Sequence, residues 1–255
     1  MNYWQRRILK EEKRAHVIAN RAAALQKSYY KKAEKILRDE IAILQADILA
    51  GDSAVTRTTL WRYGKYVSLQ NSINDTIAKT GAQQVGLLDG AANKVFENVL
   101  EMTIEQLGEG AARFQQLGSA AVDQIVKQSW NGANYSTRVW NNTAQLAARV
   151  RKLVDDNLVL GRNPQELAAA LSREFGTSHY MADRLIRTEV AHTFNSASIT
   201  TYRNAGLTQV EILVGEDERT CSSCNDIRGV YDLGQEPILP HHPNCRCCYS
   251  PVISR

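Results

Sequence analysis

The sequence predicts a mainly α-helical protein with long N-terminal helices and a helical body, closed by a small C-terminal β-hairpin module rich in cysteine and histidine (α+β). Three observations carry this. The first proline is Pro164, and the other four lie between Pro237 and Pro251. Long proline-free stretches suit helices, because an internal proline removes a backbone donor and clashes with the preceding turn. All five cysteines fall between Cys221 and Cys248, so the end of the chain differs in kind from its body. Aromatic residues are sparse, at 7% against 44% apolar overall, which favours helices built from Ala, Leu, Ile and long polar side chains.

Each element has its own signal. From Ala15, apolar residues recur at Ile18, Ala22, Leu25, Tyr29, Ala33, Ile36, Leu44 and Ile48, as on one face of a long helix. Spacing near 3.5 permits a coiled-coil partner, although Ala and Tyr on the seam argue against a regular zipper. Gly51-Asp52-Ser53 supplies a stop and a cap for the next helix. That second helix is expected over 60–77. Glycines 81, 86, 90, 108 and 110 then predict short helices with breaks, with Leu100, Ile104 and Leu107 on one helical face. Trp130-Asn131-Gly132-Ala133-Asn134 reads as a turn, followed by a helical stripe of Val139, Leu146, Val150, Leu153 and Val154. Gly161-Arg162-Asn163-Pro164 ends that helix, with Asn163 capping the next and Pro164 in its first turn. Leu167, Ala168 and Leu171 continue it, and Gly176-Thr177-Ser178 predicts its end. A further helix over 180–204 closes at Gly206. Val210, Ile212 and Val214 then alternate with polar residues as in a strand, and Val230-Tyr231-Asp232-Leu233 suggests a second strand. Three segments result: a basic helical arm over 1–50, a helical segment over 51–129, and a C-terminal domain over 130–255 with the Cys/His module at 210–252.

The net charge of +4 conceals an asymmetry. Residues 1–40 carry eleven Lys/Arg against five Asp/Glu, or +6, so the remainder sums to −2. Arg6, Arg7, Lys10, Lys13 and Arg14 are therefore candidates for contact with a polyanion, either nucleic acid or an acidic protein surface. The alternative is a solvated helix face of mixed charge. No apolar run approaches the roughly 18 residues of a membrane span. The opening MNYWQRRILKEEKR has charges where a signal peptide needs its apolar segment, so folding in a cytoplasm is expected.

The strongest chemistry lies in the last quarter. Cys221-Ser222-Ser223-Cys224 and Cys245-Arg246-Cys247-Cys248 stand in a C-x2-C-x20-C-x2-C pattern, close to structural-zinc spacing, with His241 and His242 beside the second turn. Two tight turns can each present two thiolates to one tetrahedral ion. The other readings are a redox CxxC, which lacks its βαβ setting; a disulfide pair, which an odd count and a reducing compartment disfavour; and plain packing. A metal here would be closed and structural, since at least five soft donors compete for four positions.

Arg187-Thr188-Glu189, then Ala191, Asn195, Tyr202 and Gly206, then Asp217-Glu218-Arg219-Thr220-Cys221-Ser222-Ser223-Cys224, then Gly229 and His242-Pro243-Asn244-Cys245-Arg246-Cys247, resembles the C-terminal domain of phage head morphogenesis proteins, the Mu F-like minor head proteins. The resemblance covers roughly 130–252, and Leu213 stands where many relatives have tryptophan. It implies a phage minor capsid protein in the virion, at the capsid interior or portal vertex. Such a protein is assembled in the host cytoplasm, with the portal protein and capsid proteins as partners. DNA is a further candidate partner through the basic arm. The resemblance also implies Zn²⁺ as a structural cofactor and favours Cys221, Cys224, His242, Cys245 and Cys247 as ligands. Bare spacing would instead choose Cys248 over Cys247 and ignore histidine. Which four of the five bind stays open.

Arg187 and Glu189 are two apart on a helix and cannot face each other. Glu189 with Arg219, or Arg184 with Thr188, is the expected structural pairing. Glu189 and His192 have helical spacing for an acid/base or metal pair, but no third ligand stands at HExxH-like spacing. With no P-loop, nucleophile elbow or carboxylate cluster, no enzyme and no small-molecule substrate are expected. The alternative function is a zinc-ribbon nucleic-acid-binding protein without a virion role. Against it, 212–239 holds more acids than bases.

Overall fold

Helix dominates because buried side chains recur along the chain at helical period. The computed structural model describes residues 1–49, 64–107, 123, 126–160, 164–214 and 221–253. Its elements in chain order are α1 (Tyr3–Leu49), α2 (Lys65–Leu107), α3 (Tyr135–Leu160), α4 (Pro164–Asn204), β1 (Gln209–Leu213), α5 (Ser222–Asp226), β2 (Gly229–Asp232) and β3 (Cys248–Pro251). No helix among the described residues is long and apolar enough to cross a membrane. The expected stop at Gly51-Asp52-Ser53 and the cap at Asn163 lie outside the described residues, as do Gly108, Gly110 and Arg219.

Three expectations change. First, α2 runs unbroken through Gly81, Gly86 and Gly90. Its buried positions Tyr66, Leu69, Ile73, Ile77, Thr80, Gln84, Leu88, Ala91, Val95, Val99 and Met102 step by three and four. That stripe outweighs the cost of about 1 kcal/mol for each helical glycine. Gly81 has a packing reason: a Cβ there would stand 3.1 Å from Thr143 Cγ2 and 3.2 Å from Trp140, so only glycine lets α2 approach α3 this closely. Second, α4 does not end at Gly176-Thr177-Ser178 but continues to Asn204. Phe175, Ser178 and Ala182 are all buried around that glycine and hold the helix together. Third, the buried face of α1 is rotated from the expected one. Ala22, Ala33 and Leu44 are buried with Tyr30, Leu37 and Ile41, whereas Leu25 is 51% exposed and Ile36 38%.

The described residues divide into two compact units. One comprises Ala24–Gly86 and Ser136–Asp183. Its core joins Tyr30, Leu37, Ile73, Leu146, Val150, Leu171 and Phe175, so α1, α2, α3 and α4 all contribute. Ion pairs such as Arg149 with Glu174 at 2.7 Å lie at its surface. The other unit comprises Met1–Ala23, Leu87–Tyr135 and Arg184–Arg255 and holds the sheet. Here β1 is central, in the order β2-β1-β3, and both pairings are antiparallel. Val210 and Ile212 are buried, following the expected alternation. The third strand, β3, was not expected from the sequence, because Cys248-Tyr249-Ser250-Pro251 is buried at every position and shows no alternation.

Two turns fix the ends of neighbouring helices. Before α3, Asn131 and Gly132 both have positive φ, 47° and 89°, and Trp130 bridges Ala133, as in a type I′ hairpin turn. At the end of α4, Gly206 has φ +78°. Its N–H donates to Arg203 O at 3.0 Å, and the Leu207 N–H donates to Tyr202 O at 3.1 Å, a Schellman cap.

Candidate metal centre

The centre is assembled by two turns, the second of which is fastened to the last part of α4. Cys221 lies just before the short helix α5, with Cys224 inside it, and backbone bonds from Cys224 N and Asn225 N to Cys221 O close that turn. The second turn is closed by Cys245 N donating to His242 O at 3.1 Å, with Asn244 in the left-handed region at φ 62°. Together the turns bring all five expected ligands into one cluster. Cys221, Cys224 and His242 form one group of converging donor atoms, and Cys224, Cys245 and Cys247 form another. Cys224 belongs to both. These groups could hold a metal ion.

His242 Nε2 lies 3.2 Å from Cys221 Sγ and 3.1 Å from Cys224 Sγ. Its Nδ1 lies 2.8 Å from Pro243 O, so Nδ1–H donates to that carbonyl and the Nε2 lone pair faces the sulfurs. Cys224 Sγ and Cys245 Sγ are 3.8 Å apart, and every cysteine is a free thiol. Hydrogen bonds from Ser223 and Cys224 pull the Cys221 thiol down to about 7. The Cys245 thiol is lowered mainly by the neighbouring Cys247 side chain, helped by backbone N–H groups. Cys247 is raised in turn by Cys245 and by burial, and Cys224 is raised by burial first. Cys248 stands apart from both groups, wholly buried in β3 with its thiol raised by that burial, and serves packing.

A polar stripe on α4 fastens the second turn and β3. Thr188, Asn195 and Tyr202 are spaced seven apart and so lie on one helix face. Thr188 Oγ1 accepts from Asn244 N at 3.2 Å, inside the His242–Cys245 turn, and itself donates to Arg184 O at 2.7 Å. Asn195 Nδ2 donates to Cys247 O at 3.1 Å, while its Oδ1 accepts from Tyr249 N at 3.3 Å. One amide thus satisfies the edge of β3 that β1 does not pair. Tyr202 OH donates to Tyr249 O at 3.3 Å. Tyr249 is the far anchor: its hydroxyl donates to Pro237 O at 2.5 Å and accepts from Leu239 N at 3.1 Å.

The remaining candidate residues lie outside the donor cluster. Glu189 is buried and accepts from Trp130 Nε1 at 2.8 Å. The same indole stacks on His192, with ring centroids 4.2 Å apart and planes 12° from parallel. Trp130 therefore clamps both groups whose spacing suggested acid/base chemistry. Its role was missed in the sequence, where it marked only a turn. Arg187 borders a crevice with Glu12, His16, Cys245 and Cys247. Arg6, Arg7, Lys10 and Arg14 line a cleft of about 500 Å³ with Glu11, Glu101 and Glu105, while Lys13 is exposed outside that lining. Arg7 pairs with Glu105, and Arg14 pairs with Glu11 at 2.6 Å, so the cleft is mixed in charge rather than purely cationic.

No curated protein and no solved structure matches the chain. A family model does match, described as Phage Mu protein F like protein, over residues 148–250. That segment begins later than the 130 expected from the motifs. It takes in α4, β1, β2, all but the last residue of β3 and all five cysteines. Over residues 148–250 the chain is thus similar to phage Mu protein F like protein.

Proposed function

We propose that the protein is a phage minor head protein, a non-enzymatic component of head assembly that works with the portal and capsid proteins. The observation that carries this is the use made of α4 within the family-matched segment. Thr188, Asn195 and Tyr202 direct their polar atoms to the second turn and β3, and Glu189 accepts from Trp130, so the polar residues of α4 serve internal packing.

The donor chemistry supports zinc as the ion. Thiolates with one imidazole are the common structural-zinc set. Zn–S bonds of about 2.3 Å in a tetrahedron set sulfurs about 3.8 Å apart, and the Cys224–Cys245 separation is 3.8 Å. Cys221, Cys224, His242 and Cys245 would hold it, with Cys247 as the alternative fourth donor. The ion would supply cross-linking of two turns in a segment too small to build its own core, with no open coordination position for chemistry. Arg6, Arg7, Lys10, Lys13 and Arg14 are the proposed contact to DNA or an acidic partner surface, and the protein's place is in the virion.

The test is recovery of the tagged chain from phage-infected cells, with zinc measured on the same sample. Portal and capsid proteins recovered with about one zinc per chain, the stoichiometry of a single four-ligand site, support the proposal. Recovery of nucleic acid alone, released by salt, would replace it with a nucleic-acid-binding role.

A further inference from the structure

Helix α1 carries a second apolar stripe that its own core does not use. Leu25 is 51% exposed, Ile36 38% and Ile43 65%, and half-buried Tyr29 lies among them. At about 100° per residue these four fall within about 40° of one another, roughly 100° round the helix from core-facing Tyr30, Leu37 and Leu44. Successive steps of four, seven and seven give the seam spacing of paired helices. The charges beside the stripe are graded. Lys32 and Lys35 precede Ile36, and Asp39 and Glu40 follow it. Lys32 and Asp39 are exposed, and neither takes part in an ion pair among the described residues.

We propose that this stripe is the seam of an antiparallel homodimer, with α1 pairing against α1 of a second copy about a two-fold axis at Ile36. In that register Ile36 meets its own counterpart and Tyr29 comes level with Ile43 of the second copy. Lys32 comes level with Glu40 of the second copy, one residue from Asp39. A parallel pairing would set Lys32 against Lys32 and Asp39 against Asp39, so charge selects the antiparallel one. The same gradient selects a second copy as occupant. The basic half needs an acidic counterpart beside an apolar stripe of equal length, and α1 supplies both when reversed. A two-fold interface of this kind is self-complementary and closes at the dimer. The shared seam, from Tyr29 to Ile43, is only about 21 Å long at 1.5 Å per residue, with Leu25 beyond its end, so association is concentration-dependent rather than obligate.

The test is light scattering on the full chain across a concentration series. The mass should rise from the 28.5 kDa of one chain towards twice that value. Ile36→Glu with Ile43→Glu should hold it at one chain throughout, with an unchanged circular dichroism spectrum because both sites are exposed. Lys32→Glu should weaken association about tenfold, since two symmetry-related contacts are reversed at once. Adding Asp39→Lys and Glu40→Lys to that variant should restore it. A wild-type chain that stays monomeric at every concentration overturns the proposal. So does a dimer that survives the double glutamate variant, or one indifferent to Lys32→Glu.

Discussion

Replacing Asn195 with alanine isolates the joint between α4 and the Cys/His module. Asn195 is 2% exposed, and besides donating to Ala191 O in its own helix its amide serves two main-chain groups beyond it, Cys247 C=O and Tyr249 N–H. These groups lie on the edge of β3 opposite β1, where water does not replace the lost partner because Cys247 and Tyr249 are themselves buried. A buried group left without its hydrogen bond costs about 1–3 kcal/mol, so two cost about 2–6 kcal/mol together. That is a large part of the roughly 5–15 kcal/mol by which domains are stable. Urea unfolding of the full chain should show the transition of the sheet-bearing unit shifted by that amount. The proposed zinc should pass to a chelator faster, because the Cys245–Cys247 turn loses its anchor. Asn195→Asp should not rescue: it keeps the acceptor for Tyr249 N–H but sets a carboxylate oxygen against Cys247 O. An Asn195→Ala protein with wild-type midpoint and zinc retention would refute the role assigned to this face of α4.

Three further outcomes are expected. Cys221→Ser with Cys224→Ser should open 210–252 to protease and remove zinc while leaving the helical circular dichroism signal in place. Unchanged protease resistance would count against a structural metal. Gly86→Ala and Gly90→Ala should each stabilise α2 by about 0.5–1 kcal/mol, since nothing lies within 4 Å of a Cβ at either position. Gly81→Ala should destabilise instead, through its 3.1 Å contact with Thr143, and thermal melts that rank the three alike would remove the packing argument. His179 has its pKa lowered below the usual 6.5 by burial, helped by Lys27 and Lys31 and opposed by Asp183. The unfolded chain therefore takes up that proton more readily, and the unit containing His179 should lose stability as pH falls below about 6.5. His179→Gln should flatten that slope in urea titrations at a series of pH values.

Helical periodicity was legible in the sequence, but its interruptions were not. Glycine is a reliable break only where no apolar stripe crosses it. Gly81 and Gly176 are crossed by stripes whose partners sit on other helices, information absent from any local window. On α1 the difficulty is different. Two apolar stripes lie about 100° apart, and a count of periodic matches blends them, so Leu25 and Ile36 were grouped with Ala22 and Ala33 although only the alanines are buried. Strand β3 failed for a related reason: an edge strand covered on both faces loses the alternation that betrays a strand.

The two CxxC-like turns were legible because each needs only its own backbone, but spacing alone pointed to Cys248 and passed over His242. The five candidate donors came from the resemblance, and the structure sets them in two groups that could hold a metal ion. What fastens the second turn and β3 was visible too, though in a form that conceals its meaning. Thr188, Asn195 and Tyr202 occupy core-facing positions of a long helix, where apolar residues are the rule. A buried polar side chain in such a stripe requires a partner. The helix's own groups bond along its axis, so a partner beyond them must come from chain packed against that face. Three such positions at a step of seven span about 21 Å of helix at 1.5 Å per residue, too long for one turn and suited to a turn that runs on into an edge strand. The polar residues of α4 thus betray β3 where the residues of β3 itself do not. Their placement makes this helix the surface on which the second Cys/His turn is set.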